Sequence, residues 1–224
     1  PSDEVTITAD GSVTVGTFAT PPSTKRNITH RRLYRAETGS SDTVFEYVTE
    51  LAIATSSFVD DLQNIDLGAV LQTTSWEPPD EDMIGIIALP NGQMAGFFGK
   101  TLCFSEPYYP HAWPPEYQQA VEHDIVGLGV LPNGTAVLTR GPAYVAVGDH
   151  PRGMSLRQLN KSQSCAGKSS IVSTTNSVIY ACPDGLASIG SAPFSLITQG
   201  HIAKREWQAD YEPTTLRGFW HDDK

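Results

Sequence analysis

LPNGQMAGFFGKTLCFSEP, from Leu89 to Pro107, and LPNGTAVLTRGPAYVAVGD, from Leu131 to Asp149, align without a gap. Leu89, Pro90, Asn91, Gly92 and Gly99 fall on Leu131, Pro132, Asn133, Gly134 and Gly141, at an offset of about 42 residues, a spacing typical of repeat architectures. Each copy reads as an apolar run, an Asn-Gly turn, a second apolar run, a glycine turn and a third run. Asn-Gly is expected at a tight hairpin because it adopts positive backbone angles at little steric cost. A more divergent third unit runs from Ile171 to Ile189, where VIYACPDGLASI places its turn at Asp184 and Gly185.

Units of about 40 to 45 residues with this pattern predict four-stranded sheets of the kind that form β-propeller blades. Three blades do not close a ring, since closed propellers have about four to eight. The segment Ile202 to Lys224, with Trp207, Tyr211, Phe219 and Trp220, is expected to begin a fourth unit, and the chain is expected to be a piece of something longer.

Upstream of the repeat, VTITADGSVTVGTF (Val5 to Phe18) reads as a hairpin around Ala9, Asp10 and Gly11. Further strands are predicted over Ile28 to Arg35, Val44 to Ile53 and Ser57 to Asp60. Short strands with regular turn signals point to a small antiparallel β-sandwich. The stretch ITHRRLYRAETG (Ile28 to Gly39), followed by FEYVTELA and SSFVDDL, resembles a fibronectin type III domain. Between the blocks, Trp76, Pro78, Pro79 and Asp80 to Asp82 form a stiff polar connection. The expected organisation is all-β: a fibronectin III-like sandwich over 1–74, then a partial propeller over 75–224 with units near 84–117, 125–155 and 171–200.

The chain has 224 residues, 39% of them hydrophobic, with 19 glycines, 16 prolines and a net charge of −10. No apolar run reaches the roughly 18 residues a membrane helix needs. The acidic balance argues against a phosphate-binding surface, which rests on clustered Lys and Arg. The one basic cluster, Lys25 to Arg35, lies largely in a predicted strand and reads as a solvated or ion-paired face. Cys103, Cys165 and Cys182 cannot all pair within the chain, so buried, reduced thiols are expected. The sequons at Asn27, Asn133 and Asn160 are glycan acceptors only in a secretory pathway.

Patterns that carry chemistry are weak. Gly167, Lys168 and Ser169 mimic the end of a phosphate-binding loop, but Ser162 stands where that loop needs glycine. Neither Cys-x-x-Cys nor His-Glu-x-x-His occurs, and Asp60, Asp61 and Asp66 lack the spacing of a calcium loop. His111, His123 and His150 fall in or near inter-unit loops, where they could converge on one rim. Glu106, Glu116, Glu122, Asp124 and Asp149 are loop carboxylates of the type glycoside hydrolases pair. No Gly-x-Ser-x-Gly elbow is present. The expectation is a protein that is not an enzyme and uses no cofactor.

The most distinctive loop is SEPYYPHAWPPEY, Ser105 to Tyr117. Its prolines restrict it to extended geometry while Tyr108, Tyr109 and Trp113 offer large contact area at low entropic cost. Glu106, Tyr108, Tyr109, His111 and Trp113 are the candidate interface. The alternative is that the loop packs internally between neighbouring units.

WEPPDEDMIGIIALPNGQMAGFFGKTLCFSEPYYPHAWPPEY, GVLPNGTAVLTRGPAYVAVGDHPRGM and QSCAGKSSIVSTTNSVIYACPDGLASI together resemble virion proteins of tailed bacteriophages, in particular the propeller-bearing nozzle (tail tubular) and tail-hub proteins of short-tailed phages. The resemblance covers roughly residues 25 to 220 and falls on a chain much shorter than such proteins. It implies a structural tail protein, made in the host cytoplasm and carried in the virion. Such a protein would form a homo-oligomer around the channel, contact other tail proteins, and meet genomic DNA only in transit, where an acidic surface would let the DNA slide past. The rival expectation is a propeller that binds host-surface carbohydrate through Tyr108, Tyr109 and Trp113, or, further off, a glycan hydrolase.

Overall fold

The computed structural model describes residues 11–18, 27–36, 44–160, 162–190 and 194–221. Among them the chain is all-β, with sixteen strands and one short helix. It divides into two compact units, Pro1–Thr74 and Ser75–Lys224.

In the first unit, β1 (Val13–Gly16) pairs antiparallel with β4 (Ser57–Asp60), and β2 (His30–Ala36) with β3 (Phe45–Ala52). The partner expected for β1 in a hairpin, the segment from Val5 up to the turn at Ala9, lies outside the described residues, as do Lys25 and Arg26. The three described arginines of the basic cluster are bonded within the unit. Arg32 faces Glu50 across the β2–β3 ladder and donates to its carboxylate at 2.7 Å. Arg35 donates to Asp60 Oδ2 (2.9 Å), the Leu62 carbonyl (2.7 Å) and Asn64 Oδ1 (2.9 Å), tying β2 to the end of β4. Arg31 lies over the Phe18 ring, 4.6 Å from its centroid, and donates to the Ile53 carbonyl. Among the described residues of this unit Val48 is the one buried hydrophobic side chain.

The second unit contains three successive four-stranded antiparallel meanders, each pairing its strands in chain order. The first is β5 (Ile84–Ala88), β6 (Met94–Phe98), β7 (Thr101–Phe104) and β8 (Gln119–Ala120). The second is β9 (Ile125–Leu131), β10 (Gly134–Thr139), β11 (Tyr144–Val147) and β12 (Ser155–Gln158). The third is β13 (Val172–Ser173), β14 (Ser177–Cys182), β15 (Gly185–Gly190) and β16 (Ser195–Leu196).

Strand alternation explains how they stack. In a strand, successive side chains point to opposite faces. Val137, Tyr144 and Ala146 of the second sheet join Ala95, Phe97, Leu102 and Phe104 of the first in one core. Their neighbours Ala136, Leu138 and Val145 join Val178, Tyr180, Cys182, Ala187 and Ile189 of the third in another. The second sheet is therefore covered on both faces, which is why IVGLGVL, GTAVLT and YVAV read as near-continuous apolar runs rather than alternating ones. Tyr180 is fully buried because its hydroxyl has a partner, donating to the Gln163 carbonyl at 2.9 Å.

The turns of the two aligned copies are built differently. In the first, Gly92 has φ +78, the left-handed angle expected of Asn-Gly. In the second, Leu131 pairs directly with Gly134 and the turn is Pro132-Asn133; Gly134 has no positive φ. Its glycine is required by space instead, since an added Cβ would fall on the Ala146 carbonyl oxygen. The expected common reason for both glycines is corrected accordingly.

The segment expected to begin a fourth sheet unit does not. It forms α1 (Lys204–Asp210), which seats Trp207, 2% exposed, against the third meander. The Trp207 indole N–H donates to the Cys182 carbonyl at 2.9 Å, Gln208 donates to the Pro183 carbonyl, and the Lys204 ammonium lies 2.5 Å from Asp184. KREWQAD has good helix formers and lacks the β-branched alternation of a strand. No helix among the described residues is long and apolar enough to cross a membrane.

Candidate functional site

The loop from Ser105 to Tyr117 is closed on itself and bolted to the first meander. Ser105, fully buried, donates its N–H to the Met94 carbonyl and receives the Met94 N–H on Oγ, both at 2.9 Å. Glu106 N–H donates to the Ala112 carbonyl, Tyr109 N–H to the Glu106 carbonyl and Ala112 N–H to the Tyr109 carbonyl, at 2.8 to 3.1 Å. Prolines at 107 and 110 lack an N–H and restrict the chain between these bonds.

The candidate interface residues separate into two groups. Trp113 is 4% exposed; its indole donates to the Pro110 carbonyl at 2.9 Å and its backbone N–H to the Glu77 carbonyl at 2.8 Å. It is a packing residue, so the expectation that it presents a surface face is corrected: once its N–H has a partner inside the loop, burial of the large ring is favourable. Tyr108, Tyr109 and His111 remain outside, with Tyr108 79% and Tyr109 47% exposed.

Tyr108 and Tyr109 rest on different supports. Tyr108 has φ +64, a left-handed angle uncommon outside glycine. It donates its N–H to the Gly92 carbonyl at 2.8 Å and lays its ring on the repeat turn, where a Cβ on Gly92 would stand 2.5 Å from the ring. Tyr109 instead packs on Trp76, ring centroids 4.7 Å apart at 43°, and His111 sets its edge against both, at 5.8 Å from Trp76 and 6.0 Å from Tyr109. The sequence places Trp76 in the connection and not in the candidate interface. The signal was available, because WEPP has the same aromatic-proline composition as the loop it joins.

Glu106 serves the base of the loop. Its Oε2 accepts from the Tyr117 hydroxyl at 2.7 Å and its Oε1 lies 3.8 Å from His150 Nε2, with the His150 ring edge-on to Tyr117. Burial and the adjacent Glu106 carboxylate push Tyr117 up to about 12. Arg152 donates to Glu116 at 2.9 Å, Gln119 to the Met154 carbonyl and Gln93 to the Asp149 carbonyl, so these polar contacts clasp the first meander to the loop after β11. Gln93 Oε1 is buried without a hydrogen-bond partner.

The repeat turns themselves are structural. Asn91 Oδ1 accepts the Gln93 N–H, and its amide reaches the Asp149 carbonyl at 3.4 Å. Asn133 is exposed, and a cleft runs between the two turns past Pro90, Asn91, Pro132, Asn133 and Asp149. In the third unit, Asp184 accepts from Gln163 at 2.7 Å and pairs with Lys204, which holds its carboxyl below the usual aspartate range, while Gly185 pairs with Cys182 to open β15.

His111, His123 and His150 share no partner: His111 meets Trp76 and Tyr109, and His150 meets Glu106 and Tyr117. His123 lies against Gly141 and beside Glu122, apart from the partners of the other two. Among the described residues no group of three or more His, Cys, Asp or Glu side chains is arranged to hold a metal ion. The three cysteines are buried free thiols, pushed up by burial to about 12 at Cys103 and about 11 at Cys165, and raised at Cys182. A scan against protein-family models gives no match for this chain, and a search of curated proteins gives none either.

Proposed function

We propose that this chain is a non-enzymatic structural component of a bacteriophage tail, of the nozzle or hub type, with a fibronectin III-like module ahead of a run of propeller blades. The observation that carries the reading is the succession of three four-stranded antiparallel meanders stacked face to face at repeat spacing, bearing the SEP-PHAWP and YACPDGL phrases that resemble tail proteins. Stacked meanders of this size behave as blades because a single one cannot bury both faces. Ile84 and Ile86 of β5 stay 53% and 46% exposed, as expected of a sheet that takes a further neighbour in an assembled particle. The net charge of −10 suits a wall that passing DNA does not stick to.

The test is mass spectrometry of purified particles from the phage whose genome encodes this chain, separated into heads and tails. Its peptides are expected in the tail fraction at stoichiometric abundance. Their recovery only from the particle-free lysate would overturn the proposal.

A further inference from the structure

We propose that Tyr108, Tyr109, Trp76 and His111 form a binding surface for a neutral oligosaccharide. The left-handed backbone at Tyr108 splays two consecutive tyrosines onto separate supports, one on the Gly92 turn and one on Trp76. The result is two exposed ring surfaces rather than one, Tyr108 and the Tyr109–Trp76 pair, held in place before any ligand arrives by the hydrogen bonds that close the loop and join it to Glu77. Preorganised rings of this kind bind with little ordering cost.

The chemistry of the surface selects its ligand. The rings present apolar faces with polar tips, the tyrosine hydroxyls and the His111 nitrogens, and so match a ligand that alternates flat C–H faces with hydroxyl edges. Two ring sites favour an extended chain of such units over a single one. The segments that build the surface, Trp76 to Asp82 and Ser105 to Trp113, contain no Lys or Arg and carry Glu77, Asp80, Glu81, Asp82 and Glu106. Carboxylates accept hydrogen bonds from sugar hydroxyls and repel sulfate, phosphate and sialate, which sets the ligand as uncharged. Trp113, buried, takes no part.

The site stands independently of the tail reading: head-tail fractionation reports on the latter, and glycan binding by the isolated chain on the former. The full chain is screened on an array of neutral gluco-, galacto- and manno-configured hexasaccharides alongside sulfated and sialylated glycans, and hits are titrated by tryptophan fluorescence. Binding to at least one neutral hexasaccharide is expected. It should weaken about tenfold or more in Tyr109→Ala and in Tyr108→Ala, be retained in Tyr109→Phe, and be unchanged in Trp220→Ala, whose ring is exposed elsewhere. Matched circular dichroism and melting curves separate lost binding from lost fold. Capture of charged glycans alone, no neutral ligand at millimolar concentration, or equal binding by the alanine variants would each overturn the proposal.

Discussion

Leu138 and Val137 are adjacent in β10 and both fully buried, yet they point into different cores, Leu138 toward the third meander and Val137 toward the first. Truncating Leu138 to alanine removes three buried carbons and leaves a cavity in the core it shares with Val178, Tyr180 and Ile189. Buried leucine truncations cost about 2–5 kcal/mol; for a side chain fully buried between two sheets, about 3 kcal/mol is expected here. For a unit of this size that lowers Tm by roughly 6–12 °C. Val137→Ala loses fewer atoms and should cost about 1–3 kcal/mol. Because one sheet serves both cores, each single variant should shift the same unfolding transition. Urea denaturation followed by tryptophan fluorescence and by far-ultraviolet circular dichroism measures both quantities. A Leu138→Ala cost below about 0.5 kcal/mol, or separate transitions for the two cores, would refute the doubly covered sheet.

Three further outcomes follow from the geometry. Asp184 has its carboxyl lowered by Lys204, so the pair contributes stability that is present above the unfolded carboxyl value, about 3.9, and is lost as pH falls through the lower folded value. Lys204→Met should therefore cost under about 1 kcal/mol at pH 7, given the partial exposure of both groups, and nothing near pH 2; a cost that grows on acidification would contradict this. Gly92→Ala must place a Cβ both at a left-handed angle and against the Tyr108 ring, and is expected to cost about 1–3 kcal/mol and to change the near-ultraviolet tyrosine signal, whereas unchanged melting and spectrum would remove the claimed seat for Tyr108. Cys103 and Cys165, raised to about 12 and about 11, hold a thiolate fraction on the order of a thousandth or less at pH 8, so the native protein should resist iodoacetamide for hours and label rapidly in urea; fast native labelling would show that these thiols are not buried.

Much of the local architecture was legible because it is written in short-range patterns. Ser57 to Asp60 forms β4 as its alternation implies, and the unbroken apolar runs at Ile125, Gly134 and Tyr144 belong to strands covered on two sides. The Asp184-Gly185 turn joins β14 to β15. What was not legible depended on non-local contact. Gly134 looks like a turn glycine and is one by sequence, but its constraint comes from the Ala146 carbonyl on the neighbouring strand. Trp113 and Trp76 have similar proline-flanked surroundings, and only the closed loop determines which indole is buried with its N–H bonded to Pro110 and which supports Tyr109. Trp207, Tyr211, Phe219 and Trp220 suggested another apolar sheet unit, yet Trp207 and Tyr211 lie four residues apart and stack 5.6 Å apart, a helical spacing rather than that of a strand.

The central claim is that these stacked meanders are blades of a phage tail component. Cryo-electron microscopy of whatever virus particles the genome encoding this chain produces, with the tail reconstructed in full, tests that proposal most directly. The account predicts density in the tail for three adjacent four-stranded sheets spanning 84–196, with the face of the first sheet around Ile84 and Ile86 covered by a neighbouring sheet. A tail reconstructed in full with no density that accepts these sheets would contradict it.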